Sequence, residues 1–453
     1  MMNWEKFLNS ERLRTSTREV DARNEFESDY GRVLFSPALR RMHDKTQVFP
    51  LTADDNIHSR LTHSMEVMSI GYSLGMSILQ NETFVKSTGY KREELERMIP
   101  IILQSACLVH DIGNPPFGHF GETVIKDFFK KLFHNDNISG QKPKYNVTEE
   151  EKKDFTLFDG NAQGFRILTK LQVLNDPFGL NLTFATLAAY TKYPNFGDKN
   201  DDLLSQHKRG VFQSEKSYFK KISAGSDLYK EGEHIRHPLA FLMEAADSIC
   251  YLVMDMEDGF NKKWYKYSGL RTFFSETDDL STYFAYLDSN FLGDDLEVTR
   301  VVKFRIEIIR RLVLLATKNF IDNLGLIYAG KYNKELIFDS TSGLAKRFQE
   351  FCKRHILPNR EILSLEMTGH SVLSGLLKYY TDFLFNDEPK YRKKAQGMLS
   401  NSIVRASLLE TGISDFENLS DYYKLRVIVD YISGMTDQFA LNQFQKLSGQ
   451  KIN

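Results

Sequence analysis

Apolar residues recur at steps of three and four positions over long stretches of the chain, which is the spacing of one buried helix face. The clearest run has apolar residues at Leu239, Leu242, Met243, Ala246, Ile249, Cys250 and Val253. The segment 301–320 has the same period, whereas alternating, strand-like sequence is weak and confined to 336–339. Proline, which ends helices, is scarce at 11 residues in 453. We therefore predict an all-α fold.

The chain is long enough for a large buried core, and for two lobes rather than one. The helical pattern that begins near Leu239 ends at Asp258-Gly259, and polar residues accumulate after it. We therefore predict a boundary between helical regions near 262–280.

Polar stretches rich in turn-forming residues interrupt the helical pattern. The stretch 134–154 is expected to be a surface loop or an inserted flap, and 195–210 a second loop-rich region. The sequence DGNAQG at 159–164 is expected to be a turn that enters a further helix.

Charge and cysteine content limit the binding partners and the cellular compartment that the sequence predicts. Lys plus Arg (59) and Asp plus Glu (60) nearly cancel, so any anion-binding site must be local rather than a feature of the whole surface. The cysteines Cys107, Cys250 and Cys352 form no CxxC pair, which favours a reducing compartment. The N-terminal stretch lacks the apolar run of a signal peptide, and no stretch has the roughly 18 apolar residues of a membrane span. These features predict a cytoplasmic protein without a membrane partner.

The stretch LVHDIGNPPFGHFGE, residues 108–122, combines a buried helix end with several ionisable side chains. His110 and Asp111 follow a strongly apolar run, and Gly113 and Pro115 end the helix there. Burial of an unpaired carboxylate costs several kcal/mol, and a bound cation is one of the few groups that offset this cost. The stretch therefore indicates a cation site.

Two further side chains supply matching donors from other helices. His63 lies on an amphipathic helix, where alone it fits a hydrogen-bonded core histidine equally well, and Asp247 lies in a run too apolar to face water. Two imidazoles and two carboxylates suit an octahedral divalent metal with open positions. The other His-Asp pair, His43-Asp44, has no apolar helix before it and is expected on the surface.

The helix that carries Asp247 also carries further polar residues on one stripe, at steps of four, four and three positions: Asp247, Tyr251, Asp255 and Asp258. A solvated acidic face is the alternative to a binding function for this stripe. The surrounding residues are largely apolar, which favours an inward orientation.

The pattern H…HD…D of His63, His110-Asp111 and Asp247 is similar to that of the HD-domain phosphohydrolases. Further blocks resemble the deoxynucleoside triphosphate triphosphohydrolases, or dGTPases, within that superfamily, in the same order over roughly residues 27–442. The blocks are DKTQVFPL (44–51), RLTHSMEV (60–67), HDIGNPPFGHFGE (110–122), GNAQGFRIL (160–168), TKYP (191–194), HPLAFLMEAADSICYLVMDMED (237–258) and VDYISGMTDQFA (429–440). The inserts at 134–154 and 195–225 match least.

The resemblance implies a three-part organisation and a role for each matching residue. An N-terminal segment (1–26) would precede an HD-domain helical core (27–265), and a C-terminal helical region (266–453) would complete the fold and make oligomer contacts. The implied metal ligands are His63, His110, Asp111 and Asp247. The implied catalytic pair is His119 and Glu122.

The same resemblance implies contacts to the substrate. Gln47 and Asp255 would hold the sugar 3′-hydroxyl, and Tyr251 would contact sugar and phosphate and exclude a ribose 2′-hydroxyl. The residues implied to meet the triphosphate are Arg60, Asn161 and Lys192.

The implied reaction is hydrolysis of a dNTP, with dGTP preferred, to the deoxynucleoside and inorganic triphosphate. The implied cofactor is a divalent metal ion, Mn²⁺ or Mg²⁺, with Fe, Co, Ni and Zn as alternatives. Family members are symmetric oligomers, which implies a homo-oligomer, a hexamer or a tetramer, with helix contacts from 364–380. Single-stranded DNA or a second nucleotide is implied as a candidate effector.

Two alternatives stay open at this point. Another HD-domain nucleotidase or phosphodiesterase would use the same metal ligands, although the GNAQ and TKYP blocks argue against it. A regulatory protein that senses dNTPs without turnover would not need an acid such as His119. Incubation with dGTP and identification of the products separates all three.

Overall fold

The structure, a computed structural model, describes residues 3–16, 21–47, 49, 51, 57–138, 144–172, 176–275 and 278–450. The all-α prediction is confirmed: the strands among these residues, β1 (Tyr229–Lys230) and β2 (Glu233–His234), form a single short antiparallel pair. The weak strand prediction at 336–339 is wrong, because this stretch is a turn whose apolar side chains are buried against neighbouring helices.

The helices of the first half surround the candidate site. They are α1 (Trp4–Phe7), α2 (Glu25–Leu34), α3 (Pro37–Arg41), α4 (Arg60–Ile78), α5 (Glu82–Thr88), α6 (Arg92–Glu96), α7 (Ile99–Val109), α8 (Gly118–Ile138), α9 (Glu149–Thr156), α10 (Gly160–Arg166), α11 (Phe184–Tyr190), α12 (Lys216–Gly225) and α13 (Pro238–Asn261). A π-helical turn, Ile167–Leu171, continues α10, and short 3₁₀ turns lie at Met42–Asp44, Leu204–Gln206 and Gln213–Glu215.

Helices continue to the end of the described chain. They are α14 (Tyr267–Phe274), α15 (Asp278–Asn290), α16 (Glu297–Asp322), α17 (Leu324–Tyr328), α18 (Leu344–His355), α19 (Arg360–Leu384), α20 (Pro389–Met398), α21 (Asn401–Thr411), α22 (Asp421–Ser433) and α23 (Asp437–Leu447). Further 3₁₀ turns lie at Asp294–Leu296 and Phe416–Asn418.

Helices α4, α7 and α13 form the centre of the larger core. Helix α7 is apolar on nearly all sides, so it packs between its neighbours with almost every residue buried. Helix α13 begins with Pro238 in its first turn and with the side chain of His237 as its cap, and it is buried along most of its length. This arrangement brings the helix ends that carry His63 and His110 next to the middle of α13.

A second core joins the two halves of the chain. Buried residues of α8 and α9 pack there against α19, α22 and α23. The larger core includes Trp4 and Phe7 from the N-terminal segment, which pack against Phe84, Tyr328 and His237. The division at residues 26 and 265 remains a proposal.

The prediction of a surface loop or flap over 134–154 is wrong for most of its length. Helix α8 continues through Ile138 and α9 begins at Glu149, while residues 139–143 lie outside the described residues. The reason is that α8 and α9, which are fixed in the second core by Phe133 and Phe155 just outside this stretch, extend into it from both sides. The prediction of a loop-rich 195–210 is confirmed, since only the short turn Leu204–Gln206 is helical there.

Two smaller expectations are also decided by the structure. Helix α13 runs to Asn261 rather than ending at Asp258-Gly259. The three cysteines are buried and unpaired, as expected. No helix in the described part of the chain is both long and apolar enough to cross a membrane.

Candidate metal centre and catalytic pair

The four predicted metal ligands lie together where α4, α7 and α13 meet. The Nε2 atoms of His63 and His110 lie 3.4 Å and 3.3 Å from Oδ1 of Asp247. Nε2 of His110 lies 3.6 Å from Oδ1 of Asp111, and donor atoms of His63, His110 and Asp111 all lie within 4.8 Å of one another. The structure therefore brings the set together, and its role as a ligand set stays a prediction.

The orientation of His110 fits a metal site. Its Nδ1 donates a hydrogen bond to the carbonyl oxygen of Cys107, at 2.8 Å, so Nε2 is the ring nitrogen that faces the cluster. Nε2 is buried and, within the described chain, makes no hydrogen bond of acceptable geometry. A metal ion bound there would replace the proton on Nε2 and lie beside the carboxylates.

The charges of the cluster also fit a metal site. Burial lowers the pKa of His110, but the carboxylates of Asp111 and Asp247 outweigh it and raise the pKa to about 9. Burial raises the pKa of Asp111, but Arg60 and His110 lower it to about 2. Both carboxylates are therefore ionised, and the cluster favours a cation.

Basic side chains lie directly beside this cluster. The guanidinium of Arg60 forms an ion pair with Oδ2 of Asp111, and Nζ of Lys192 lies 3.6 Å from Oδ2 of Asp247 and 3.6 Å from Oε1 of Glu244. The Arg60 side chain packs against Gly118, whose φ of 57° is readily adopted only without a Cβ. Two of the three predicted triphosphate contacts thus adjoin the candidate ligands.

His119 and Glu122 form a pair at the first turn of α8. Nδ1 of His119 lies 3.4 Å from Oε2 of Glu122, and the imidazole is 71% exposed whereas the carboxylate is 4% exposed. Glu122 Oε1 accepts a hydrogen bond from the backbone N–H of Gly160, at 2.8 Å, at the start of α10. A fixed carboxylate thus orients an accessible imidazole.

The pKa values of the pair are shifted in opposite directions. The charge and hydrogen bond of Glu122 raise the pKa of His119. Burial raises the pKa of Glu122, but His119 and Lys208 outweigh it and lower the pKa to about 2. Both shifts favour the ion pair of imidazolium and carboxylate, and Nδ1 of His119 faces Glu122, which leaves Nε2 as the nitrogen that could donate a proton to a substrate.

Gly160 connects the pair to the candidate metal centre. A Cβ at this position would collide with Oδ1 of Asn114 and lie 2.8 Å from Oε1 of Glu122. Asn114 in turn donates from Nδ2 to Oδ1 of Asp111, at 2.7 Å. The backbone at the start of α10 therefore packs directly against Glu122 of the catalytic pair and against Asn114, which donates to the candidate ligand Asp111.

Gly160→Ala is expected to lower turnover by about tenfold or more while the protein stays folded, because Asn114 and Glu122 must both move. Turnover and thermal unfolding of the purified variant measure the two effects. Gly269→Ala is the matched control, since a Cβ there meets open space on α14. Equal turnover of the Gly160 and Gly269 variants would contradict the proposed link.

The other predicted substrate contacts lie in different local environments. Asn161 is the second residue of α10, and its Nδ2 donates to Oδ1 of the capping residue Asp159, at 2.8 Å. Gln47 has a buried Oε1 without a hydrogen-bond partner among the described residues. Tyr251 lies one helical turn beyond Asp247 on α13, half-buried.

The polar stripe of α13 lies in two different environments. Burial and the nearby Asp258 raise the pKa of Asp255 to about 8. Asp258 pairs with His58, and Nδ1 of His58 lies 2.7 Å from Oδ1 of Asp258. The stripe is thus directed inward, but its last member is a structural partner of a histidine.

Lys208 is a candidate site residue that the sequence did not single out. Its Nζ lies 3.8 Å from Oδ2 of Asp159, and its charge contributes to the lowered pKa of Glu122. It comes from the insert at 195–225, where a lone lysine is indistinguishable from a surface charge. In contrast, His43 and Asp44 lie on the surface, with side chains 73% and 66% exposed, as expected.

Comparison with known proteins agrees with this geometry. Residues 60–151 match the HD domain, and residues 340–446 match the phosphohydrolase-associated domain. A deoxyguanosinetriphosphate triphosphohydrolase-like protein of Synechocystis sp. is 35% identical over 99% of both chains. One of Listeria monocytogenes is 33% identical over 99% of this chain and all of its own length. The chain therefore belongs to the HD-domain phosphohydrolases, metal-dependent hydrolases, and within them to the deoxyguanosinetriphosphate triphosphohydrolase-like proteins.

Proposed function

We propose that the protein hydrolyses dNTPs, with dGTP preferred, to the deoxynucleoside and inorganic triphosphate. The observation that carries this proposal is the exposed His119, paired with the buried Glu122, near the buried cluster of histidines and carboxylates, with Arg60, Lys192 and Lys208 around them. The names of the relatives in Synechocystis and Listeria support the substrate class.

The candidate metal ligands are His63, His110, Asp111 and Asp247. A divalent ion bound there supplies Lewis-acid stabilisation of phosphate charge and makes water a stronger nucleophile. Arg60, Lys192 and Lys208 bind and orient the phosphate oxygens, which must be neutralised before water can approach phosphorus. These residues position the substrate and hold its charge.

The leaving 5′-oxygen of the deoxynucleoside needs a proton, because an alkoxide is a poor leaving group. His119 donates that proton from Nε2, since its Nδ1 faces Glu122. Glu122 favours the protonated ring, because it raises the pKa of His119, and the N–H of Gly160 holds Glu122 in place.

GTP is expected to be a poorer substrate than dGTP by at least about tenfold in kcat/KM, because Tyr251 would collide with a ribose 2′-hydroxyl. Tyr251→Ala should reduce this preference for dGTP, and the half-exposed Tyr286→Ala, on a distant helix, should leave it unchanged. Equal kcat/KM for both nucleotides in the parent protein would overturn the placement of Tyr251 and favour a general nucleotidase.

A substrate panel tests the proposal. The four dNTPs, GTP, dGMP and a cyclic dinucleotide are each incubated with Mn²⁺ or Mg²⁺, and the products are identified. We expect turnover of dNTPs, fastest with dGTP. Turnover of monophosphates or cyclic dinucleotides alone would favour another HD-domain phosphohydrolase, and binding without turnover would favour a sensor.

Further features belong to the same proposal. We propose a Mn²⁺ or Mg²⁺ enzyme that acts in the cytoplasm as a homo-oligomer, a hexamer or tetramer. Single-stranded DNA or a nucleotide is the candidate effector. The unpaired, buried cysteines are consistent with a reducing compartment.

A further inference from the structure

An ion cluster that the proposed mechanism does not use lies between α4 and α13. His58 is at its centre: Nδ1 lies 2.7 Å from Oδ1 of Asp258, and Nε2 lies 3.3 Å from Oε1 of Glu66. Glu66 belongs to α4, three residues beyond His63, and Asp258 belongs to the C-terminal end of α13. One histidine thus joins the two helices that carry His63 and the polar stripe.

Both ring nitrogens of His58 face carboxylates, and this arrangement favours a charged ring. Burial lowers the pKa of His58, but the hydrogen bonds to Asp258 and Glu66 outweigh it and raise the pKa to about 10. The imidazolium form has two N–H donors, one for each carboxylate. The Asp258 side chain is 2% exposed, so His58 supplies the positive charge that the burial of this carboxylate requires.

The first of the two predicted sugar contacts, Gln47, lies next to this ion pair. Thr46 and Ser59 form an antiparallel bridge that joins the two ends of the segment 46–59. The next residues along the paired ends are Gln47 and His58, which the antiparallel register sets opposite each other. Oε1 of Gln47 is buried and has no hydrogen-bond partner among the described residues.

The second predicted sugar contact, Asp255, adjoins the same ion pair from the other side. It lies three residues before Asp258 on α13, and therefore on the same side of the helix. Burial and the charge of Asp258 raise the pKa of Asp255, and the charge of His58 opposes this rise. The ion pair of His58 and Asp258 therefore lies between Gln47 and Asp255.

Recognition of a sugar hydroxyl requires that these two contacts hold a fixed relative position. A hydroxyl group donates one hydrogen bond and accepts up to two, each within a limited range of directions. Gln47 lies in the irregular segment before α4, whereas Asp255 lies on a long helix. The contact of His58 with Asp258 links the two, and the backbone N–H of His58 reinforces it at 3.4 Å from Oδ2 of Asp258.

We propose that His58 is a positioning residue for the sugar: through Asp258 it sets the relative position of Gln47 and Asp255, and thereby the recognition of the substrate 3′-hydroxyl. The site would select nucleotides with a free 3′-hydroxyl over their 3′-deoxy analogues. This inference rests on the proposed function, because Gln47 and Asp255 are assigned to the sugar only there.

The turnover test compares kcat/KM for dGTP and its 2′,3′-dideoxy analogue, ddGTP, with Mn²⁺ present. We expect the parent to prefer dGTP by at least about tenfold, because ddGTP leaves the polar groups of the site unpaired. His58→Gln keeps a donor at the Nε2 position, toward Glu66, but loses the donor toward Asp258, so the preference should fall to about threefold or less. His58→Asn keeps the donor toward Asp258 and should retain most of the preference.

Further variants separate positioning from a purely structural role. His234→Gln is the matched control, since His234 is also half-buried and its Nδ1 lies 2.8 Å from Oγ of Ser223; it should keep the parent preference. Asp258→Asn should resemble His58→Gln. Because both nucleotides are measured on one preparation, a loss of stability lowers both kcat/KM values equally and leaves their ratio unchanged. A parent-like ratio in His58→Gln, or the same ratio in His58→Asn and His58→Gln, would overturn the inference.

A binding test separates this inference from the proposed reaction. Deoxyguanosine and 2′,3′-dideoxyguanosine carry no phosphate to hydrolyse, so their calorimetric titration into the Mn²⁺-loaded, full-length protein reports recognition of the sugar alone. We expect deoxyguanosine to bind more tightly by at least about fivefold in the parent and in His58→Asn, and the difference to be lost in His58→Gln.

The two tests together distinguish the possible failures. A His58-dependent difference between the two nucleosides, in a protein that does not hydrolyse dGTP, would leave the inference standing and overturn the proposed reaction alone. Hydrolysis of dGTP by a parent protein that shows no difference between the two nucleosides would leave the reaction standing and overturn the inference.

Discussion

Asp247→Ala is expected to lose its bound metal and at least about three orders of magnitude in turnover. The carboxylate of Asp247 lies 3.3 Å and 3.4 Å from the Nε2 atoms of His110 and His63, so its removal takes away a ligand and leaves two buried imidazoles without their partner. The magnitude follows from the several kcal/mol of charge stabilisation that a catalytic metal supplies. Elemental analysis and dGTP turnover measure the two losses.

Asp111→Ala should behave in the same way. His43→Ala removes the other histidine of a His-Asp pair, which lies on the surface, and should change neither metal content nor turnover. Full metal occupancy in Asp247→Ala would refute the ligand assignment.

His119→Ala is expected to keep its metal and to bind dGTP within a few-fold of the parent, yet to lose at least about two orders of magnitude in turnover. The imidazole lies beyond the left-handed turn at Phe117 and Gly118, so it faces the site without being one of the candidate ligands. Glu122→Ala should resemble it, and the double variant should be little worse than either, because the two residues act as one unit. Calorimetric titration and single-turnover rates separate binding from chemistry.

The pH dependence gives a second readout for the same pair. Glu122 raises the pKa of His119, so the proton-donating form persists above the ordinary pKa of histidine and is lost as pH rises through the raised value. Glu122→Gln removes the charge, so the alkaline limb of the pH–rate profile should move to lower pH. His134→Ala, an exposed histidine of the same helix, should leave both rate and profile unchanged. Near-normal turnover in His119→Ala would mean that the acid lies elsewhere.

The sequence was most informative where ionisable residues lie within a run of apolar residues at helical spacing. The apolar period of α7 and α13 predicts their burial, and burial argues against a surface position for His110, Asp111 and Asp247. That reasoning, with the family resemblance, predicted a cluster that the structure brings together. His43 and Asp44 show the converse, since the same dipeptide without an apolar helix lies on the surface.

The sequence was least informative where polar composition concealed a helix or a long-range partner. The charged stretch 134–154 is predicted to be a loop, but α8 and α9 extend into it, because the aromatic residues that fix these helices against the second core, such as Phe133 and Phe155, lie just outside it. Asp258 belongs to the acidic stripe in sequence but pairs with His58, 200 residues away. The position of Lys208 beside Asp159 depends on tertiary packing that no local pattern records.

Product identification tests the proposed reaction most directly. The purified protein, loaded with Mn²⁺ or Mg²⁺, is incubated with dGTP, and the phosphorus-containing products are followed by ³¹P NMR. We expect inorganic triphosphate and deoxyguanosine in equal amounts, with no dGDP or dGMP at any time. Orthophosphate with dGDP, pyrophosphate with dGMP, or unchanged dGTP would contradict the proposed function.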